Sequence, residues 1–441
     1  MPGGGLCISW LCRSPPGWLT LLNLVTHWLT WAIAAASVVG VIVRPKGTPE
    51  ALWAGIGAMA LVVFSLLPLS EALAAVLSGT DVYLFLTGMM LLAELAREEG
   101  LFDWLAAYAV RHAGGSARRL FLLVYGVGTL VTIFLSNDAT AVVLTPAVYA
   151  AAKRAKAAPL PYLFACAFIA NAASFVLPIS NPANLVVFGD RMPALPAWLG
   201  RFGASAVASI LLTYVALRWA QRAQLRERVC ETVAPPSLGK EGHIAAAAIV
   251  LTGIVLLICS GVNLRLGLPT FLAGCCACFL TRARARSIKR VAPWQLLRNI
   301  SWSILPLVAG LFVLVRGVED TGALSALAGF VSAKASGAPL PTAFGTGILV
   351  ALAGNLVNNL PMGLFAGAAG AGAQWPAAVK AAVLIGVDLG PNLSVTGSLA
   401  TLLWLMAIRR EGENVSGWRF LALGIIVMPP ALLGSLALVM H

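Results

Sequence analysis

Apolar residues run along this chain in long blocks, near 21–43, 51–70, 82–98, 160–190, 198–219, 243–260, 263–281, 302–318, 377–408 and 416–440. As helices, blocks of about 17 residues or more can cross a hydrocarbon layer roughly 30 Å thick. The pattern therefore predicts ten crossings and an all-α polytopic membrane protein. Two further apolar segments, 118–152 and 339–370, are each too short for two full crossings and are interrupted near the middle by polar residues. Each is expected to be a re-entrant hairpin, because irregular backbone at membrane depth is tolerated only where protein buries it or it lines a cavity.

The pattern also repeats. "GMMLLAELAREEGLFDWLAAYAV" from Gly88 and "GLFVLVRGVEDTGALSALAGFV" from Gly310 align at an offset of 222 residues, which also sets Gly100 on Gly322. At that offset Ser136 and Asn137 fall on Asn358 and Asn359. The expected organisation is a first half, 1–219, with its hairpin at 118–152 and a broken helix at 160–190. A linker, 220–242, leads to a second half, 243–441, with its hairpin at 339–370 and a broken helix at 377–408. Five crossings per half is an odd number, so the halves are expected to lie inverted, as two inverted repeats, an architecture common among secondary transporters.

Composition agrees. With 59% hydrophobic and 11% charged residues, the 441-residue chain has too little polar surface to coat a soluble globule. A net charge of +13 would point to nucleic acid if it were gathered on a soluble domain. Here most of the 30 Lys and Arg fall in loops on one face, including the run "RARARSIKR", Arg282–Arg290. By the positive-inside rule that face is expected to be cytoplasmic, which puts both termini outside. The apolar run after Arg13 is longer than a signal-peptide core and reads as the first crossing. The eight cysteines have no paired spacing, so no disulfide scaffold is expected. Cys275, Cys276 and Cys278 resemble a soft-metal cluster, but neighbouring cysteines on a helix point in different directions, and no metal is expected there. HExxH, GxSxG and Walker A patterns are absent, so neither an enzyme nor a cofactor is expected.

Candidate chemistry gathers at four polar breaks. The first hairpin turns at Ser136, Asn137 and Asp138, N-cap residue types that would open a returning half-helix. The second turns at Asn358 and Asn359, ahead of Pro361. In "LPISNPAN", Pro178 is expected to end one half-helix, with Ser180, Asn181 and Asn184 around the break and Pro182 starting the next. In "VDLGPNLSVTGS", Gly390 and Pro391 would stop the helix, and Ser394, Thr396 or Ser398 restart it. Four half-helix ends converging in the membrane would make a binding site from backbone ends, amides and hydroxyls. Isolated intramembrane carboxylates are costly and usually functional. Asp138, opening a half-helix, is expected to organise the first tip, bind substrate and take some part in proton coupling. Asp388, closing a half-helix, is expected to be the main proton carrier. Glu94 beside Arg97 reads as a structural ion pair.

"LSNDATAVVLTP", "FIANAASFVLPISNPANLVVF", "NLVNNLPMGLFAGA" and "IGVDLGPNLSVTGSLATLLWL" resemble the ArsB arsenite and antimonite efflux permeases of the ion transporter superfamily, over essentially the whole chain. The resemblance implies a bacterial inner-membrane antiporter that exports trivalent arsenic and antimony as neutral hydroxides in exchange for protons, conferring metalloid resistance. A soluble ArsA-type ATPase on the cytoplasmic face and a homodimer are implied as partners. Carried over, the substrate-binding set is Ser136, Asn137, Asp138, Ser180, Asn181, Asn184, Asn358, Asn359, Thr396 and Ser398. Two positions depart from the family pattern: Asn171, where an acid is expected, and Val387, where a cysteine is. A sodium- or proton-coupled dicarboxylate carrier of the same superfamily is the alternative. An intramembrane enzyme using Asp138 and Asp388 is a remote one, because its GxGD motif is missing.

Overall fold

The computed structural model describes residues 17–189, 192–230, 237–284, 297–373 and 375–440. Its main helices in the first half are α1 (Gly17–Val43), α2 (Glu50–Val63), α3 (Leu69–Ser78), α4 (Thr80–Glu98), α5 (Leu101–His112), α6 (Ala117–Phe134), α7 (Thr145–Arg154), α8 (Leu160–Ala172), α9 (Pro182–Phe188) and α10 (Leu195–Ala220). The second half follows with α11 (Lys240–Gly261), α12 (Gly267–Arg284), α13 (Ile304–Asp320), α14 (Ala323–Gly337), α15 (Pro339–Val357), α16 (Asn359–Gly372), α17 (Ala377–Leu389), α18 (Leu399–Arg410) and α19 (Gly417–Val439). No strand occurs among the described residues beyond one isolated bridge, Ser116 to Arg228.

Among the described residues, six helices are long and apolar enough to cross a membrane: α1, α6, α10, α11, α15 and α19. The pair α3 and α4, bent by 44°, makes a seventh if it counts as one span. The ten blocks of the sequence are thus not ten uninterrupted helices. Blocks 160–190 and 377–408 are each split in two by non-helical backbone, and α2, α8 and α12 are shorter apolar helices. The first limbs of the two expected hairpins, α6 and α15, contain 18 and 19 residues. At 1.5 Å per residue these reach about 27 to 29 Å, so by length alone each can cross.

The 222-residue repeat is visible in the packing. Gly88 on α4 lies so close to α12 that an added Cβ would stand 2.3 Å from the Thr270 carbonyl oxygen. Gly310 on α13 meets the Ala54 carbonyl oxygen of α2 in the same way, at 2.8 Å. Each half therefore hands the equivalent helix to the other. The exchange recurs deeper in the molecule, where α9 packs on α16 and α18 packs on the start of the return limb after α6. Within its own half, α5 lies against both α6 and α7, as α14 lies against both α15 and α16. Gly100 and Gly322 turn the chain into α5 and α14 with φ of 71° and 78°, a left-handed conformation that glycine adopts without steric cost. Even the ion pairs correspond with charges exchanged: Glu94 accepts from Arg97 at 2.8 Å, and Arg316 donates to Glu319 at 3.2 Å, at equivalent positions.

Linker backbone is fastened to one end of the molecule, where Val229 N donates to Gly115 O (3.0 Å) and Cys230 N to Ala155 O (2.8 Å). The same end carries the Lys153–Glu413 pair at 3.5 Å and the cavity lined by Arg44, Arg97 and Arg410. It is called the basic end below. Of the basic run Arg282–Arg290, residues 285–290 lie outside the described residues, as does 231–236 of the linker.

Candidate functional site

Both tips carry the same backbone irregularity. Ser136 has φ 145° and ψ 165°, and its repeat equivalent Asn358 has φ 76° and ψ 152°, a region that residues with a Cβ rarely occupy. Such strain costs roughly 1–3 kcal/mol per residue and persists only where the surroundings impose it. Each side chain then caps the helix it opens: Ser136 Oγ accepts from Ala139 N (3.3 Å), and Asn358 Oδ1 from Leu360 N (3.4 Å). Asn137 Oδ1 accepts from Asp138 N at 2.9 Å. Asn137 and Asn359 are both buried. Behind the first tip the chain makes a π-helical turn, Thr140–Leu144, held by the Thr132 and Thr140 hydroxyls at 2.8 Å. Such turns are rare and are found frequently at functional sites.

The first break opens earlier than its proline predicts. Helix α8 ends at Ala172, ahead of Pro178, and Asn184 Nδ2 reaches the carbonyl oxygens of Ser174 (2.9 Å), Leu177 (3.3 Å) and Pro178 (3.3 Å). One amide thus supplies the acceptors that the broken helix leaves without intrahelical donors. Asn181 caps α9 through Ala183 N at 3.0 Å, and Pro182 is its first residue. Ser180 accepts from Leu177 N (3.2 Å) and donates to the Ile133 carbonyl of α6 (3.0 Å).

At the second break, sequence reasoning named Ser394, Thr396 and Asn358 but missed Asn355 and Asn392. Asn355 Nδ2 donates to Ala351 O (2.7 Å) and Gly390 O (2.9 Å), and its Oδ1 accepts from Ser394 Oγ at 2.6 Å. Thr396 Oγ donates to the Asn355 carbonyl at 3.0 Å, and Asn358 Nδ2 to the Thr396 carbonyl at 3.2 Å. Ile133 and Asn355 are repeat equivalents, so in both halves a hydroxyl from the broken helix ties to the same carbonyl of the first hairpin limb. Asn171, at the position where an acid was expected, donates to Asn392 Oδ1 (3.0 Å) and Thr401 Oγ (3.3 Å), and Asn392 donates to Phe168 O (3.1 Å). Asn355 lies four positions before Asn359, near the end of the first limb, a spacing that could have singled it out.

Two breaks meet directly at Asp388, which is fully buried: Asn181 Nδ2 donates to its Oδ1 at 2.7 Å. Asp388 Oδ2, Asn184 Oδ1, Asn171 Oδ1 and Ser398 Oγ are buried without a hydrogen-bond partner among the described residues. Unpaired buried polar atoms are costly, and four around two helix breaks mark a place that a ligand, water or proton can complete.

Asp138 sits elsewhere. It is half-buried and, with Ser136, faces a small pocket of about 80 Å³ walled mainly by apolar side chains of α4 and the return limb. That pocket shares Glu94, Val142, Val143, Asn299, Ser301 and Ile304 with the cavity of about 850 Å³ at the basic end. Of the expected site residues, Ser136 and Asp138 therefore border the small pocket that adjoins the basic-end cavity. Asn181 and Asp388 join the two broken helices. Asn358, Thr396 and Ser180 bind hairpin to broken helix, whereas Asn184 closes the first break. Glu94 and Arg97 form the expected ion pair.

A family model described as a citrate transporter matches residues 30–387. The chain is 26% identical over 427 residues to an arsenical pump membrane protein of Escherichia coli strain K12, covering 93% of this chain and 97% of that one. To one of Yersinia enterocolitica it is 28% identical over 371 residues, covering 79% and 83%. To a putative arsenical pump membrane protein of Bacillus subtilis it is 26% identical over 423 residues, covering 89% and 94%. Among solved structures, the YdaH transporter of Alcanivorax borkumensis shares the fold with a TM-score of 0.50 at 17% identity, over 83% of this chain and 86% of that one.

Proposed function

The chain belongs to the citrate transporter family of multi-pass membrane transporters, and from that premise we propose that it exports trivalent arsenic and antimony, as neutral hydroxides, in exchange for protons. The observation that carries this reading is the pocket at the first tip. Asp138, the Ser136 hydroxyl and Glu94, which is paired with Arg97, face a small, largely apolar space. A water-sized group needs about 10–15 Å³ measured in this way, so about 80 Å³ admits a handful of such groups, as a metalloid trihydroxide requires. The name of the family model favours a second reading, a sodium- or proton-coupled carrier of citrate-like anions. A polycarboxylate is several times larger, and Asp138 would repel its charge.

Asp388, with one oxygen held by Asn181 and the other unpartnered, is the proton carrier in this scheme. The reciprocal packing at Gly88 and Gly310 supports two inverted repeats, and the close packing of α9 on α16 and of α18 on the first return limb supports re-entrant hairpins. On the positive-inside rule the basic end is cytoplasmic, so the open cavity is the entry for substrate and both termini lie outside. An ArsA-type ATPase at the basic end, pairing into homodimers and residence in a bacterial inner membrane belong to the proposal on the strength of the resemblance.

Everted membrane vesicles test it: arsenite should accumulate when a pH gradient is imposed, with no need for sodium. Strict sodium dependence, or uptake of citrate in place of arsenite, overturns the reading. In the same assay Asn137→Ala and Asn359→Ala should each weaken apparent substrate binding by about 1–3 kcal/mol, the cost of an unpaired polar partner. Unchanged transport by both variants at equal expression removes these amides from the site.

A further inference from the structure

The pocket at the first tip holds two groups that the transport reading does not use. Met89 and Met90 both line it, beside Asp138 and Ser136. Met89 is buried and Met90 half-buried. A third methionine, Met406, lines the basic-end cavity and accepts from Arg44 Nη1 at 3.6 Å. Methionine is ordinarily adaptable core filler, and the internal repeat tests that explanation. At the equivalent positions of α13, 222 residues on, the chain has Leu311 and Phe312, so the equivalent helix packs with hydrocarbon alone. Of the two copies, α4 lines the pocket with both thioethers, whereas α13 reaches it through Ile304.

Resting on the transport reading, we propose that Met89 and Met90 are specificity-determining residues, whose thioether sulfurs make soft, non-covalent contacts to the metalloid atom while Ser136 and Asp138 engage its hydroxyls. Thioethers are soft donors, suited to polarisable, soft acceptor atoms. Trivalent arsenic and antimony combine a polarisable centre with hard hydroxyl groups, and a wall that offers sulfur on one side and oxygen on the other matches both. A thioether has no proton to lose and so forms no covalent arsenic–sulfur bond. It discriminates without holding the substrate as a thiolate would, which suits a site that must release its cargo. The preference should be greater for antimony, the softer of the two.

Uptake of arsenite and antimonite into everted vesicles should be compared for the wild type, the Met89→Leu/Met90→Leu variant and Met59→Leu, whose side chain is on the outer surface of α2. Leucine keeps apolar volume nearly constant and matches what the repeat places at position 311. The double variant should lose roughly fivefold in apparent affinity for antimonite, about the effect of one ordinary non-covalent contact, and less for arsenite. Inhibition by boric acid, a hard neutral trihydroxide, should be weak and the same in all three. An antimonite-to-arsenite ratio unchanged in the double variant, or a parallel loss for boric acid, overturns the inference, because a packing defect would affect all three solutes alike. A wild type that moves neither metalloid overturns the transport reading, and the inference with it.

Discussion

Asp388→Asn should reduce gradient-driven export to background while leaving substrate binding nearly intact, and Asp138→Asn should do the reverse, weakening binding itself. The two carboxylates have different neighbours. Asp388 is fully buried at the end of α17, with Oδ1 engaged by Asn181 and Oδ2 free of any partner among the described residues. Asparagine there keeps an oxygen for Asn181 and the side-chain volume, so the junction of the two broken helices survives. What it removes is the group that can take up and release a proton. Asp138 opens the return limb and faces the pocket at the first tip. Its carboxylate accepts from substrate hydroxyls in this scheme. Losing a charge-assisted hydrogen bond costs about 1.5–3 kcal/mol, or roughly 10- to 150-fold in dissociation constant. Calorimetry on the purified variants and proton flux in liposomes separate the two effects. If Asp388→Asn still couples export to a pH gradient while Asp138→Asn binds normally without coupling, the roles are exchanged.

How far the site could be read from the chain depended on whether the signal was local. Caps and prolines act over a few residues, and Ser136, Asn358, Asn181 and Pro182 sit in the structure where their residue types place them. The repeat was legible for a related reason: a glycine at a helix crossing has no substitute when the neighbouring backbone is 2.3 Å from where a Cβ would be, so Gly88 and Gly310 keep their register. Tertiary ties were not legible. Pro178 looked like the end of a half-helix, but α8 stops at Ala172, and Asn184, from beyond the break, supplies a donor to the carbonyls of Ser174, Leu177 and Pro178. Ser180 and Thr396 were read as lining a site from their place at the breaks and from the resemblance. Their hydroxyls donate to carbonyls of α6 and α15, contacts set by which helices pack together. The separation of Asp138 from Asp388 was hidden for the same reason. One faces the small pocket that adjoins the basic-end cavity and the other the junction of the breaks, a division that no sequence spacing encodes.

Asn355→Leu should lower the thermal midpoint of the purified protein by several degrees and reduce transport with it, whereas Ile133→Leu at the equivalent position of the first half should change neither. Both residues offer a main-chain carbonyl to a hydroxyl of the broken helix, and that contact survives either substitution. Only Asn355 adds side-chain bonds, to the Gly390 carbonyl at 2.9 Å and from Ser394 at 2.6 Å. Leucine leaves the Gly390 carbonyl with Leu393 N as its one remaining donor and Ser394 with only the Thr396 hydroxyl. At about 0.5–1.5 kcal/mol for each hydrogen bond lost, the cost is roughly 1–3 kcal/mol. Unfolding of a membrane protein in detergent is commonly irreversible, so the comparison is of midpoints at one scan rate and not of equilibrium free energies. Asn355→Asp sharpens the test, since it keeps the acceptor for Ser394 and loses only the donors to Gly390 and Ala351; its midpoint should fall between those of Asn355→Leu and the wild type. A midpoint unchanged in Asn355→Leu would mean that the second break is held by Asn392 and its partners Asn171 and Phe168, and that Asn355 is incidental to it.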